Sequence, residues 1–365
     1  MVQAMVLEKF NEPLVRRDFP ETELADGEVR VRLAASGICG SDLHMAGGHD
    51  PRTPLPIILG HEAVGHVEEV GGDKKDILGR TVEPGRLIAW DRGVTCSRCV
   101  FCTVKRQPYL CSSRKVYGIN VSCAEPPHLV GGYAEKMHLS SGTNVLLIDD
   151  AVDPVALVAA GCSGATAAHA VEEARIRSGG VAVVQGAGPL GLFAAAFLRE
   201  RGAAEVIVTD LKPGRLKSAP SFGATRVLDI GKTSAEERLG AVREASGGLG
   251  ADAVVDCTGH PGAIAEGMSY CRRGGRYLPV GVAVPVGETQ VSFYEHVSVR
   301  NLTVQGVWVS DTSHFYQAVR LVTGGRYPFA ELVSHRFPLA EANAAQEAAR
   351  SPEAVKVVLV PGEAG

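Results

Sequence analysis

Between Val181 and Leu198 the chain runs for 18 residues without a charge. That length fits a membrane span, but Gln185, Gly186, Gly188, Pro189 and Gly191 interrupt its middle. The segment reads better as a short apolar strand, a glycine turn and an apolar helix. Gly186-Ala187-Gly188-Pro189-Leu190-Gly191 is a G-x-G-x-x-G in the strand-to-helix setting where that spacing cradles a dinucleotide. Gly186 allows the tight turn, Gly188 lets backbone approach a pyrophosphate, and Gly191 lets the helix pack on the strand. The helix N-terminus then offers free N–H groups and a partial positive charge to the phosphates.

The surrounding sequence repeats this alternation. Val181–Val184, Val206–Thr209, Ala253–Asp256 and Tyr277–Val280 are short apolar runs, separated by helical-length stretches such as Leu190–Arg201 and Ala235–Ala245. Strands alternating with helices predict a doubly wound parallel sheet. The second of these strands ends in Asp210, 19 residues past Gly191. A carboxylate there accepts hydrogen bonds from the adenosine ribose and repels a 2′-phosphate, which favours NAD over NADP. Lys212 and Arg215 follow closely and soften that exclusion; Arg215 joins the candidate cofactor-binding residues. The first 150 residues differ in texture. Val29–Ala34 alternates apolar and polar residues, Ala63–Val70 and Arg86–Trp90 look similar, and no long helix stands out. A small, partly open β-barrel is expected there.

Composition narrows the function. The net charge of −4 excludes a broadly basic nucleic-acid binder. A length of 365 residues suggests about two domains. Nine cysteines, an odd number, argue against a complete disulfide framework. The N-terminal MVQAMVLEKF carries an acid and a lysine where a secretion signal needs an apolar core. A cytoplasmic protein is expected.

The cysteines fall into patterns. Cys96, Cys99, Cys102 and Cys111 place four thiols within 16 residues. Such a cluster on a turn-rich loop fits a closed tetrahedral structural zinc site; two local disulfides are the alternative. Cys39, His61 with Glu62, and Cys162 lie in separate Gly-flanked motifs, each weak alone: a lone buried Cys is usually a small hydrophobe.

Taken together, these motifs resemble the zinc-dependent medium-chain dehydrogenase/reductase family, the alcohol and polyol dehydrogenases. Gly131-Gly132-Tyr133-Ala134-Glu135 and Asp256-Cys257-Thr258-Gly259 add to the likeness, which runs over nearly the whole chain. The resemblance implies an α/β fold with a GroES-like β-barrel catalytic domain and a Rossmann domain, and an active site in the cleft between them. It implies a catalytic domain over 1–160 with a structural zinc loop at 96–111, an NAD-binding domain over 161–305, and a C-terminal return to the first domain over 306–365. It implies two Zn²⁺ per chain, NAD as cofactor, and a homodimer or homotetramer.

Carried over residue by residue, Cys39, His61 and Cys162 match the catalytic zinc ligands, leaving one position for water or substrate. Glu62 matches a carboxylate that can become a transient extra ligand, and Asp42 one that orients His61. Ser41 matches the hydroxyl that takes the alcohol proton, and His44 the end of the proton relay. Val280, Gly281 and Val282 match the segment that holds the nicotinamide. Two departures stand out. Eight residues separate Cys102 from Cys111, where the family commonly has seven. Cys162 stands where the branch with a Cys39-Gly40-Ser41-Asp42 motif often has Glu.

The expected reaction is hydride transfer between an alcohol and NAD⁺, giving a ketone or aldehyde. Trp90 and Trp308 are pocket candidates; lined by them, the pocket suits a bulky or cyclic secondary alcohol. A polyol dehydrogenase of the same family is one alternative. Others are a non-catalytic nucleotide-binding protein on the same fold and a zinc-free NADPH-dependent quinone reductase.

Overall fold

A strand with one face on a core and the other in solvent alternates in burial. Val29–Ile38 shows this along its first six residues and is then buried on both faces. It is the hub of a mostly antiparallel sheet. Glu62–Val70, Leu87–Trp90 and Val145–Leu147 follow on one side, Lys356–Leu359 and Val333–Phe337 on the other, and Lys136–Leu139 also pairs with the hub. The last two strands pair parallel. A smaller antiparallel sheet joins Val15–Phe19, Val2–Leu7 and Ile57–Ile58. Two apolar clusters fill this barrel-like unit, one around Val2–Leu7, Ile57–Leu59 and Tyr133, the other around Val29, Val31, Trp90 and Met137. The computed structural model describes residues 1–351 and 353–362. Residues 352 and 363–365 of the expected C-terminal return lie outside the described residues.

The chain divides into two compact units. The first comprises residues 1–162, 311–323 and 329 onward; the second comprises 163–310 and 324–328. The second unit is built on parallel strands that read as continuous apolar runs, since helices cover both faces: all five residues of Val181–Gln185 are buried. Strand order across its sheet is Arg226–Asp229, Glu205–Asp210, Val181–Gln185, Ala251–Asp256, Cys271–Pro279, Thr303–Val304. In sequence terms this is 3-2-1-4-5-6, the doubly wound Rossmann order, and every pairing is parallel. The charge-free stretch becomes the Val181–Gln185 strand and the Pro189–Glu200 helix. Among the described residues one helix is long and apolar enough to cross a membrane, Pro154–Ala174, and 72% of its apolar window is buried. That helix is interrupted by a π-turn at Ala160–Gly164.

Candidate active site and dinucleotide cradle

In the first unit, one ligand atom each from Cys39, His61, Glu62 and Cys162 lies within 4.8 Å of every other. Three pieces of local structure bring them together. Cys39 caps the Gly40–Ala46 helix, His61 and Glu62 open the Glu62–Val70 strand, and Cys162 sits in the π-turn. Turns of this kind re-aim a side chain and recur at functional sites.

Asp42, fully buried, organises the histidine. Its Oδ2 accepts the Cys39 N–H at 2.7 Å, its Oδ1 accepts the Gly60 N–H at 3.2 Å, and the same Oδ1 lies 3.3 Å from His61 Nδ1. His61 Nε2 is buried without a partner among the thiols. An orphaned imidazole nitrogen, two thiols and a carboxylate form a donor set suited to zinc, with the carboxylate behind His61 as the usual support.

Charge is shared out within the cluster. The Cys162 thiol, donating to Cys39, holds the Cys39 thiol well below its ordinary range; burial opposes this, and His61 and Lys356 reinforce it. Burial pushes His61 down, but the Asp42 carboxylate outweighs it and pulls the imidazole up to about 10. Metal binding must displace that proton, as at any histidine ligand.

Glu62 has a partner that local sequence patterns did not reveal. Lys356, 3% exposed, bonds Glu62 Oε2 and donates to the Ile38 carbonyl oxygen at 3.1 Å. Glu62 Oε1 is left buried without a partner. Gly37 makes room for this pair: a Cβ there would lie 2.5 Å from Glu62 Oε2 and 2.9 Å from Lys356 Cε. The only available sequence signal was a lone lysine inside the apolar run Val355–Val360. Removing one side of a buried pair leaves an uncompensated charge, at a cost of roughly 3–5 kcal/mol. Lys356→Met is therefore expected to lower the chemical denaturation midpoint clearly. An unchanged midpoint would show that the pair contributes no stability.

Ser41 Oγ lies 3.7 Å from Cys39 Sγ, so its hydroxyl stands at the cluster. His44 follows on the same helix three residues later, a spacing that shares one face, and packs edge-on to His49 with ring centroids 6.0 Å apart. Trp90 is 4% exposed and packs within the barrel core cluster. Trp308, in the second unit, is 46% exposed.

Cys96, Cys99, Cys102 and Cys111 form a second cluster, again with sulfurs within 4.8 Å. Cys99 Sγ lies 3.5 Å from Cys102 Sγ, and Cys111 Sγ 3.5 Å from Cys96 Sγ. Sulfurs about 2.3 Å from one tetrahedral zinc sit roughly 3.8 Å apart, whereas a disulfide holds them ~2.05 Å apart. All four are free thiols, at spacings near the zinc value and far from the disulfide one. The Arg98 and Cys99 backbone N–H groups lower the Cys96 thiol to about 6, presenting a thiolate at neutral pH. With eight residues between Cys102 and Cys111, the loop containing the Pro108–Leu110 turn delivers Cys111 to the cluster.

In the second unit the glycines separate by what surrounds them. Gly186 has φ +95°, which L side chains rarely adopt. A Cβ on Gly191 would lie 1.8 Å from the Gly186 carbonyl oxygen. A Cβ on Gly188 would meet nothing nearer than Arg215 Nη1 at 3.7 Å, so that glycine leaves open space over the N-terminus of the Pro189–Glu200 helix. Pro189 and Leu190 form the helix's first turn, both half-buried. Asp210, 8% exposed, accepts the Ala187 N–H at 2.7 Å and the Lys212 N–H at 2.8 Å. Beyond the neighbouring strand, Val280 and Gly281 donate to the Asp256 carbonyl oxygen at 2.9 and 2.8 Å, while Val282 is exposed. The cradle lies where the strand order reverses, the ligand position of such sheets.

Comparison with known proteins matches this geometry to a family. The description "Alcohol dehydrogenase GroES-like domain" matches residues 25–150, and "Zinc-binding dehydrogenase" matches residues 189–324. The 5-exo-hydroxycamphor dehydrogenase of Pseudomonas putida is 33% identical over 94% of both chains. The chain belongs to the zinc-containing medium-chain alcohol/polyol dehydrogenase family. Among solved structures, an alcohol dehydrogenase from Thermotoga maritima is 47% identical with a TM-score of 0.95, covering 98% of this chain and 99% of that one. A zinc-binding dehydrogenase from Sinorhizobium meliloti bound to NADP is 27% identical with a TM-score of 0.87, covering 99% of each. Membership makes the chain an oxidoreductase acting on CH–OH donors, with small-molecule alcohols as its substrates.

Proposed function

We propose that this dehydrogenase oxidises a secondary alcohol to its ketone with NAD⁺, using one zinc for catalysis and one for structure. The observation that carries the reading is the convergence of Cys39, His61 and Cys162 within 4.8 Å, with the Ser41 hydroxyl beside them. Cys39, His61 and Cys162 would hold the catalytic ion, and Cys96, Cys99, Cys102 and Cys111 the structural one. Bound there, zinc supplies the Lewis acidity that makes a carbinol O–H acidic near neutral pH. Ser41 accepts that proton and His44 passes it to solvent, while Asp42 keeps His61 oriented and Glu62 Oε1 stands ready as an extra donor. Val280, Gly281 and Val282 would hold the nicotinamide, which when bound would supply the hydride acceptor for oxidation of the carbinol to a carbonyl.

Asp210 supports NAD: a carboxylate at the end of the second strand can accept from ribose hydroxyls and repels a 2′-phosphate. Arg215, beside Gly188, supplies a cation toward the same ligand. The Sinorhizobium relative carries NADP, so the choice rests on this carboxylate and not on the fold. The Pseudomonas relative is a 5-exo-hydroxycamphor dehydrogenase, which supports a cyclic secondary alcohol here.

The test is an NAD⁺ reduction screen across primary, secondary, cyclic and polyhydroxy alcohols, with zinc counted on the same sample. Chelator-sensitive NADH formation and one zinc per donor cluster are expected. No turnover with any alcohol would instead favour a non-catalytic nucleotide-binding protein. In the same assay Asp210→Ser is expected to shift the NAD⁺:NADP⁺ preference toward NADP⁺ by an order of magnitude or more. A wild-type protein with lower KM for NADP⁺ would contradict the role given to Asp210.

A further inference from the structure

Arg92 takes no part in the reaction as described above. It follows the Leu87–Trp90 strand, is 4% exposed, and donates from Nη1 to the Gly161 carbonyl oxygen at 3.2 Å, one residue before Cys162. Its Nε–H is buried with no partner. A guanidinium carries five N–H donors. Among the described residues, the Gly161 carbonyl is the one acceptor within bonding distance of this side chain. Buried polar groups are nearly always matched, so a buried arginine met by one protein acceptor points to a partner outside the chain.

Charge gives the same direction. The Gly161 carbonyl that Arg92 bonds directly precedes Cys162, which sets the guanidinium beside the metal-ligating cluster. With a divalent ion in that cluster, the two thiolates offset the metal, and Lys356 offsets Glu62. Asp91 is engaged elsewhere: it accepts the Gly93 N–H and the Thr312 hydroxyl, both at 2.9 Å, and Arg114 is the strongest cation acting on it. Arg52 is paired with Asp50 through two bonds, at 2.9 and 2.6 Å. Among the described residues, no carboxylate forms an ion pair with Arg92.

We propose that Arg92 is the subsite for a second oxygen of the substrate, so that the alcohol carries a carboxylate or carbonyl oxygen a few bonds from its carbinol carbon. A carboxylate is the better match, since a guanidinium edge presents paired N–H groups to its two oxygens. This inference rests on the dehydrogenase reading and narrows its substrate class.

The experiment compares three alcohols on one frame: cyclohexanol, 3-hydroxycyclohexanone and 3-hydroxycyclohexane-1-carboxylate. Zinc-loaded wild type, Arg92→Met and Arg92→Lys are assayed for kcat and KM, with zinc content measured throughout. Wild type is expected to favour the acceptor-bearing alcohols over cyclohexanol at least tenfold in kcat/KM, the carboxylate most. Arg92→Met is expected to bring that ratio toward one through a raised KM, with zinc content intact, and Arg92→Lys to keep part of the preference. The same ratio in wild type and Arg92→Met overturns the proposal. So does zinc loss in both variants, which would make Arg92 a counter-charge to the thiolates. Calorimetric titration of the zinc-loaded proteins with 3-hydroxycyclohexane-1-carboxylate decides independently of turnover. Binding by wild type that Arg92→Met loses supports the subsite, and no binding by wild type rejects it. If wild type oxidises none of the three, the dehydrogenase reading is what fails, and the calorimetry still judges Arg92.

Discussion

His61→Ala is expected to cut alcohol oxidation by roughly a thousandfold or more while removing one of the two zinc ions. A metal ion contributes several kcal/mol of charge stabilisation at a polarised oxygen, and ~1.4 kcal/mol is a factor of ten in rate. His61 is the only nitrogen donor in its cluster, its Nε2 has no other partner, and Asp42 already holds its other face. The four-cysteine cluster involves none of these residues, so its zinc should stay. Metal analysis beside steady-state rates checks both halves. A variant that keeps two zinc ions, or more than a tenth of the wild-type rate, would mean that this cluster is not the catalytic centre. Asp42→Asn is a milder companion, expected to lose about 10–100-fold in metal affinity or rate because it disturbs only the support of a ligand.

The second large effect separates two glycines of one motif. Gly191→Ala puts a methyl group 1.8 Å from the Gly186 carbonyl oxygen and 2.9 Å from its carbon. Both are backbone atoms, so the helix and the loop must part. Overpacking of this kind costs ~1–3 kcal/mol, and it falls on the loop whose shape makes the cradle. NADH binding is expected to weaken about a hundredfold, with a lower melting temperature and both zinc ions retained. Gly188→Ala should behave differently. Its methyl meets no protein atom within 3.7 Å, so the melting temperature should stay near wild type while NADH binding still falls. Fluorescence titration with NADH beside thermal scans reads both. If Gly188→Ala binds NADH like wild type, the backbone there is not the surface that meets the dinucleotide.

How much of this was legible in the sequence depended on how local each pattern was. The apolar runs from Val181 to Pro279 became strands because a parallel strand covered on both faces is uniformly apolar, a pattern visible in a few residues. Cys96 to Cys111 announced themselves because their ligands share one loop. Cys39, His61 and Cys162 came through family likeness, since no local rule ties three separate motifs to one point. Lys356 escaped: it lies 294 residues from Glu62, and only the pairing of Val357 with Ile38 brings it alongside. Arg92 escaped for another reason, because an arginine after a strand reads as a solvated turn residue until its burial is known.

The π-turn at Ala160–Gly164 carries a consequence for how the site tolerates change in length. A π-turn is one residue more than the regular helix needs, and each residue of an α-helix advances the side-chain direction by about 100°. Cys162 lies within that surplus. Excising a single residue from the turn would restore an ordinary helical repeat and swing Cys162 about a quarter-turn out of phase with Cys39 and His61, though every ligand would still be encoded. The metal centre therefore depends on a count as much as on chemistry: a one-residue deletion here does the work of deleting a ligand.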